Sequence, residues 1–394
     1  MEHRRDVRLA YLHSARVGAG GLGMCAATTL DDLARDSLRI AAYGPGLEAW
    51  PLPSPTPAVD WRTLQVSASE WRGRFTHRRW LQGRHIFLTN VDAGRAAAEA
   101  IAKGGADRCY AFSGVALETL RWARARGIPA ALESATGHIR HFYEVSVREH
   151  ERWNRGPRVE HPTLSTVERE EEEYGLADWV RVSSRWAHES FVRHGLPANR
   201  VRVIPQIINT ERFSPPAADR LHDGPLRLCY VGIVSLAKGF PYLLEAMRSF
   251  GGERVTLEIA GSTGTRSARI LFDRLRRGLH VAMAPQDPVP VYHRAELLVL
   301  PSLHDGFGFV AAEAMACGLP VIVTSSVGAS DWVTPESGWI VLPADSDSLI
   351  AALTDAISRR TELTDMGRRA RAAVLNQIAQ RSLCQPFFDA SDRV

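Results

Sequence analysis

Residues 297–324 read LLVLPSLHDGFGFVAAEAMACGLPVIVT, and this stretch is the most informative part of the sequence. An apolar strand comes first, a loop with Gly306 and Gly308 follows, and a helix is predicted over about 309–317. Gly318 ends that helix, because glycine is the favoured residue just after a helix C-terminus. A second apolar strand closes the stretch, and strand, helix and strand in this order predict a parallel α/β domain.

The same alternation of short apolar runs and helix-length segments extends over both halves of the chain. The turn-rich residues 205–216 separate two series, so we expect two parallel-sheet domains joined near residue 205. The predicted strands are 7–12, 38–43, 86–89, 109–112, 130–133, 179–182 and 202–204 in the first half, and 226–231, 256–260, 281–282, 297–300, 320–324 and 339–341 in the second.

Two segments of the first half do not follow this pattern. Residues 50–84 carry four tryptophans, several prolines and a basic run, which favours an insertion or long loop rather than sheet. Those tryptophans are expected to pack, although stacking on acceptor sugars stays open. The acidic run at 168–173 is predicted to be the solvated face of a helix.

Composition and charge exclude several classes of protein. The 394 residues carry a net charge of +4, which is too small to indicate a nucleic-acid partner. The five cysteines form no C-x-x-C pair, so neither a zinc site nor a disulfide framework is indicated. With no signal-peptide pattern and no apolar run near the roughly 20 residues of a spanning helix, we expect a cytoplasmic protein with at most peripheral membrane contact.

The loop and helix within 297–324 also carry candidate chemistry. Open α/β sheets bind ligands beyond the carboxyl ends of their strands, and a helix N-terminus there offers free N–H groups and positive partial charge to a diphosphate. Asp305 and Glu313 lie eight residues apart and can flank one ligand, each gripping hydroxyls. No metal-binding spacing is present, because Asp345-Ser346-Asp347 precedes a helical segment and is better explained as a helix cap.

A second motif, CYVGIVSLAKGFPYLLEAM at 229–247, places Lys238 in a loop just before a helix. A lysine there can neutralise phosphate charge when a sugar–phosphate bond breaks. A Lys-Gly pair by itself is typical of a surface loop, but beside the 297–324 stretch a phosphate site is favoured. A glycine run at 18–23 formally matches G-x-G-x-x-G, yet the spacing from the strand and the absence of a following acid disfavour a dinucleotide site.

Together these motifs resemble the large retaining GT-B family of glycosyltransferases, family 4. The resemblance implies two facing Rossmann-like domains: 1–205 for the acceptor, 206–375 for the nucleotide sugar, and a helix at 376–394 that packs back on the first domain. It implies no cofactor and no metal, a UDP- or GDP-linked sugar as donor, and a glycan, lipid-linked or small-molecule acceptor.

The resemblance also assigns roles to residues. Glu313 binds the donor ribose, Lys238 faces the diphosphate, and His138 lies at the cleft near the donor sugar, although packing is the competing interpretation for one histidine among 14. Asp305 and the following backbone hold the transferred sugar. The further donor-binding residues implied are Gly20, Gly21, Gly232, Ser235, Gly306, Phe307, Gly308, Phe309 and Val310.

The sequence departs from the family pattern at two positions. Asp305 stands where glutamate is usual, and Ile233 stands where many members have an arginine that helps to hold the diphosphate. Two alternatives therefore stay open: a sugar-nucleotide epimerase or phosphorylase of the same fold, and a non-catalytic protein that binds nucleotide sugars.

Overall fold

The computed structural model describes residues 7–18, 20–35, 39–48, 51–52, 59–64, 82–153, 162–217, 224–251, 254–284 and 287–381. Within these residues the strands form two parallel sheets, one of seven strands and one of six. This confirms the predicted α/β class with two Rossmann-like halves.

The first sheet has the strand order β3-β2-β1-β4-β5-β6-β7. Its strands are β1 (Arg8–Leu12), β2 (Arg39–Gly44), β3 (Val59–Thr63), β4 (Arg108–Phe112), β5 (Ala130–Glu133), β6 (Trp179–Val182) and β7 (Val201–Val203). The helices of this half are α1 (Gly20–Arg35), α2 (Gln82–Gly104), α3 (Leu117–Arg124), α4 (Ile139–Trp153), α5 (Leu164–Leu176) and α6 (Arg185–Arg193).

The second sheet has the order β10-β9-β8-β11-β12-β13. Its strands are β8 (Leu226–Val231), β9 (Val255–Ala260), β10 (Val281–Ala284), β11 (Leu297–Leu300), β12 (Val321–Thr324) and β13 (Gly338–Val341). Its helices are α7 (Phe240–Arg248), α8 (Arg266–Leu275), α9 (Val289–Arg294), α10 (Phe309–Ala316), α11 (Ser346–Ser358) and α12 (Leu363–Arg381).

Burial explains why the central strands are continuous apolar runs. Every residue of β11 and β12 is buried, as expected when helices cover both faces of a parallel sheet. β11 lies between β8 and β12. The loops that follow β8 and β11 therefore leave the same edge of the sheet side by side.

Three predictions about the first half are wrong. Residues 86–89, expected as a strand, lie within α2. The segment at 50–84 contributes the edge strand β3, which pairs in parallel with β2; residues 49–50, 53–58 and 65–81 lie outside the described residues. The acidic run is not simply a solvated face, because the side chains of Arg169 and Glu173 on α5 are buried.

Residues 204–217 contain no helix or strand, in agreement with the predicted turn-rich connection. α12 packs against α10, with Ala370 and Val374 buried in the core of the second half. Residues 382–394 lie outside the described residues, so packing of 376–394 on the first domain stays a prediction, as do the predicted domain limits. In the part of the chain that is described, no helix combines the length and apolarity that crossing a bilayer requires.

Candidate functional site

The loop between β11 and α10 forms the base of the site. Gly308 precedes α10 with φ of +81°, and a Cβ at this position would lie 2.4 Å from Val327 Cγ1. Only glycine fits this sharp entry. Among the described residues no side chain caps α10, so the amides of Phe309 and Val310 stand at an uncapped, partially positive helix end.

Lys238 reaches this loop from the neighbouring strand. After β8 the chain turns at Gly232, with φ of +125°, and a short 3-10 helix, Leu236–Lys238, follows. A Cβ on Gly239 would lie 1.9 Å from the carbonyl oxygen of Pro301. This close backbone approach places the Lys238 ammonium in an ion pair with the Asp305 carboxylate.

Two other residues of the Lys238 loop were singled out in the sequence. Ser235 is half-buried, and its carbonyl accepts a hydrogen bond from the Lys238 amide at 3.1 Å. Ile233, at the position where arginine is frequent in the resembled family, leaves 55% of its surface exposed. The turn therefore presents an apolar side chain at the position where many members of the resembled family present a positively charged one.

Glu313 lies within α10, a little more than one turn after the first residue of the helix. Tyr292 on α9 donates a hydrogen bond from its hydroxyl to Glu313 Oε2 at 3.0 Å. Burial raises the pKa of Glu313 from 4.5 to about 7, against the opposing influence of the Tyr292 hydrogen bond and the charge of Arg212. The carboxyl group is thus held in one orientation and sits close to its titration point at neutral pH.

The beginning of α1 contains two of the glycines that were predicted to bind the donor. Gly20 and Gly21 are exposed, and a Cβ on either would meet nothing within 4 Å. Burial raises the pKa of the Cys25 thiol further along α1, and the charges of Glu133 and Asp305 act in the same direction. A role of Gly20 and Gly21 toward the donor stays a prediction.

Close contacts join the two halves beside the site. Ser184, the N-cap of α6, donates a hydrogen bond from its hydroxyl to the Gly306 carbonyl at 2.7 Å. A Cβ on Gly306 would lie 2.3 Å from the carbonyl oxygen of Ala135. Arg185 pairs with Asp331 at 3.1 Å. Gly306 therefore serves a backbone-to-backbone approach of the two halves.

His138 lies among residues of the first half. Only 4% of it is exposed, and its ring stacks on that of His194 with 4.5 Å between centroids. Burial lowers the pKa of His138 to about 4, with the charge of His194 acting in the same direction. The structure gives His138 packing contacts, and a role toward the donor sugar stays a prediction.

Glu173, a residue of α5, binds the N-terminus of α3, the helix that follows β4. Its carboxylate accepts hydrogen bonds from the amides of Gly114, Ala116 and Leu117 at 2.6, 3.0 and 3.1 Å. These are the N–H groups that a phosphate would otherwise meet at the start of α3. The structure thus leaves the start of α10 open while the start of α3 is already filled.

The structure brings Lys238, Asp305 and the start of α10 together, with Phe307 buried beneath them against Phe309 and Trp332. Sequence reasoning missed Tyr292 and Ser184. Tyr292 follows an apolar run as a core residue does, and Ser184 carries only a helix-cap signal. Their partners lie 21 and 122 residues away, so the pattern held no sign of these contacts.

Residues 216–373 match the sequence model of the family described as glycosyl transferases group 1. This part of the chain, called here the group 1 region, is similar to the group 1 glycosyltransferases. The group 1 region contains Lys238, Asp305, Glu313 and Tyr292. A D-inositol 3-phosphate glycosyltransferase from Xylanimonas cellulosilytica is 28% identical over 234 residues, which cover 54% of this chain and 55% of that protein. The chain thus matches only about half the length of this relative.

Solved structures cover nearly the whole chain, beyond the group 1 region. A sucrose-phosphate synthase from Thermosynechococcus elongatus superimposes with a TM-score of 0.69 at 21% identity, covering 96% of this chain and 98% of that one. The Anabaena HepE protein in complex with UDP-glucose gives a TM-score of 0.67 at 15% identity, covering 95% and 98%. At these identities the likeness speaks for the fold, and the predicted GT-B architecture is confirmed.

Proposed function

We propose that the protein is a retaining glycosyltransferase that moves a sugar from a nucleotide diphosphate donor to an acceptor hydroxyl. One observation carries this proposal: Lys238, Asp305 and the uncapped start of α10 meet at the carboxyl edge of one sheet. A cation, a hydroxyl acceptor and free amides in one place suit a sugar joined to a diphosphate.

Each part of the donor has a group that fits it. The diphosphate would accept hydrogen bonds from the amides of Phe309 and Val310 and from Lys238. The ribose hydroxyls would donate to Glu313, which Tyr292 holds in place. Asp305 would accept a hydrogen bond from a sugar hydroxyl, and its carboxylate lies next to the Lys238 ammonium. Gly306, Phe307 and Gly308 would bound the sugar.

The two charges of the Lys238–Asp305 pair offset each other in this structure. When a donor binds, its phosphate oxygens compete for the ammonium, and the sugar hydroxyls satisfy the carboxylate instead. The proposal therefore makes Lys238 a group whose positive charge is fully used only when phosphate charge is present. The diphosphate gains a further negative charge as the sugar–phosphate bond breaks, so the ammonium would stabilise the leaving group more than the intact donor.

The proposed reaction is front-face transfer. The bond between the anomeric carbon and the diphosphate oxygen breaks, the acceptor oxygen forms a bond to the same face of that carbon, and the acceptor proton passes to the departing phosphate oxygen. Lys238 and the start of α10 stabilise the negative charge that builds on the diphosphate. The products are a nucleoside diphosphate and the glycosylated acceptor, in which the transferred sugar keeps the anomeric configuration that it had in the donor. In this proposal the charges of the protein make a metal unnecessary.

The names of structural neighbours decide which donor to test first. The Anabaena HepE structures were solved with UDP and with UDP-glucose. A uridine donor is therefore the first candidate, with guanosine donors next. A glycan, a lipid-linked sugar or a small molecule is the proposed acceptor, and the first half supplies its site, with Gly20 and Gly21 at the rim.

A second candidate is a protein that binds nucleotide sugars without transferring them. The exposed Ile233 favours it, because a turn that presented arginine would add a second cation for the leaving group. An epimerase or a phosphorylase of the same fold would form different products, so product analysis distinguishes it from a glycosyltransferase and from a binding protein.

The test measures nucleoside diphosphate release from UDP-glucose and GDP-mannose with and without a panel of sugar and lipid-linked acceptors. Acceptor-dependent release supports transfer, and NMR of the product reports whether the anomeric configuration is retained. The comparison includes Lys238→Ala and the control Lys103→Ala, an exposed lysine of α2. Tight donor binding without release for any acceptor would favour the binding protein, and inversion would contradict the retaining mechanism.

A further inference from the structure

His304 of the second half inserts into an aromatic pocket of the first half. Its ring centroid lies 5.3 Å from that of His141, 5.0 Å from that of Phe142 and 5.0 Å from that of Trp186. Only 5% of His304 is exposed. His141 and Phe142 belong to α4 and Trp186 to α6, so one side chain of the site loop is enclosed by two helices of the other half.

A hydrogen bond joins the two imidazoles. His141 Nδ1 and His304 Nδ1 are 3.0 Å apart, so one nitrogen carries the proton and the other accepts it. His304 Nε2 is buried and has no hydrogen-bond partner in the described part of the chain. A buried N–H without a partner costs more than a bare acceptor, so the proton of His304 belongs on Nδ1 and His141 Nδ1 is the acceptor.

The pair lies one residue from the proposed chemistry. His304 is bonded directly to Asp305, and the Asp305 amide donates to the Ser326 carbonyl at 3.0 Å. Asp305 in turn pairs with Lys238. A movement of His304 out of its aromatic pocket would therefore act on the neighbouring residue, whose carboxylate pairs with Lys238.

We propose that His141 and His304 are positioning residues: as a neutral hydrogen-bonded pair they clasp the two halves together and set Asp305 and Lys238 for the donor. The effect on transfer rests on the proposed function, whereas the clasp itself does not.

The surroundings make the clasp sensitive to acid. Burial lowers the pKa of His141 to about 4, with the charge of His194 acting in the same direction. Burial also lowers the pKa of His304 well below its usual range, and the charge of His141 adds to that effect. The remaining titratable or charged groups that face the pair are Lys238 from the second half and His138, Glu144, Arg148, Arg193 and His194 from the first. Glu144 alone among these favours protonation.

The sign of the pH effect follows from these shifts. Well above pH 6.5 both rings are neutral whether the halves are together or apart, and the clasp is at full strength. Below that pH the separated form takes up protons that the clasped form refuses. The ratio of separated to clasped molecules then rises by up to about tenfold for each pH unit and each proton taken up.

Small-angle X-ray scattering of the whole chain at pH 7.5 and 5.5 tests the clasp without any ligand. The wild type and the control His280→Gln, an exposed histidine of the second half, should expand reversibly at pH 5.5. The double variant His141→Phe/His304→Phe keeps the ring contacts and removes the titratable nitrogens, so it should have the same radius of gyration at both pH values. A wild type that does not expand, or a double variant that expands equally, overturns the proposal.

A measurement on the unmodified protein covers the case in which the double variant does not fold. In histidine-selective ¹⁵N NMR at pH 7.5, one ring should show a protonated Nδ1 whose proton is hydrogen-bonded to a second ring nitrogen, and this signal should vanish on acidification. Its absence at pH 7.5 overturns the proposal. For transfer, the wild-type kcat should fall with acid over the window in which the chain expands, while the double variant loses that fall. If neither the wild type nor the double variant transfers sugar, the proposed function is wrong, and the scattering and NMR measurements still test the clasp.

Discussion

Replacing Glu313 by glutamine should stabilise the protein at alkaline pH while weakening donor binding. Burial raises the pKa of Glu313 from 4.5 to about 7. Below pH 4.5 the carboxyl is protonated in the folded and the unfolded chain alike. Between pH 4.5 and 7 only the unfolded chain ionises, so stability falls as pH rises, and the loss is complete above pH 7.

The size of the effect follows from the width of that window. At about 1.4 kcal/mol for each pH unit, the interval from 4.5 to about 7 corresponds to at most about 3 kcal/mol. Partial exposure of the side chain reduces this, so we expect Glu313→Gln to gain about 1–3 kcal/mol at pH 8 and nothing at pH 4.5. The Tyr292 hydroxyl can still donate to the amide oxygen, so the hydrogen bond survives the change.

Donor binding should move the other way. A charged carboxylate accepts hydrogen bonds from the ribose hydroxyls more strongly than a neutral amide, by about 1 kcal/mol. We therefore expect the Kd of Glu313→Gln for UDP to be about fivefold higher than that of the wild type at pH 8. Thermal denaturation at pH 4.5 and 8 and calorimetric titration with UDP measure the two quantities, with the exposed Glu336→Gln as control. A variant that is less stable than wild type at pH 8, or that binds UDP equally well, would refute this reasoning.

Four further substitutions test separate contacts. Lys238→Met keeps the aliphatic stem and should lower kcat by about 10²–10³, because the substitution removes the positive charge that stabilises the leaving group. A kcat near wild type contradicts the assignment. Tyr292→Phe should raise the donor KM by about fivefold by freeing the carboxyl it orients, measured by initial rates. Ser184→Ala loses both the α6 cap and the bond to the Gly306 carbonyl, so it should cost about 2 kcal/mol in denaturant unfolding, and a loss below a few tenths counts against the contact. Asp345→Ala removes the cap of α11 and should cost about 1 kcal/mol in the same assay.

The central strands could be predicted because their burial on both faces leaves an unbroken apolar run. β5, β6, β8 and β11 have the predicted limits. The error at 86–89 has a simple cause: four apolar-rich residues fit a strand and one turn of a buried helix equally well. β3 was missed because it is a short, largely exposed edge strand, and its brief alternation of Val59 and Trp61 with Asp60 and Arg62 stands in a segment rich in proline and tryptophan.

The site was predictable where its parts are close in sequence. The loop glycines, Asp305 and the start of α10 fall within one short stretch, and the Asp345 cap needed only its own helix: its carboxylate accepts from the amides of Asp347 and Ser348. Contacts between the halves were not predictable, because nothing in the order of residues says that His304 meets His141. Burial of Glu173 was hidden for the same reason, since its partners are backbone amides 56–59 residues away.

The carboxylate of Glu173 imitates an anionic ligand inside the protein itself. Burial raises the pKa of both Glu173 and its neighbour Glu170, so the imitation is kept at a cost in free energy that a well-solvated side chain would not incur. A side chain that permanently fills one helix start makes the two halves unequal. An anion would meet free amides at the start of α10, whereas at the start of α3 it would have to displace Glu173.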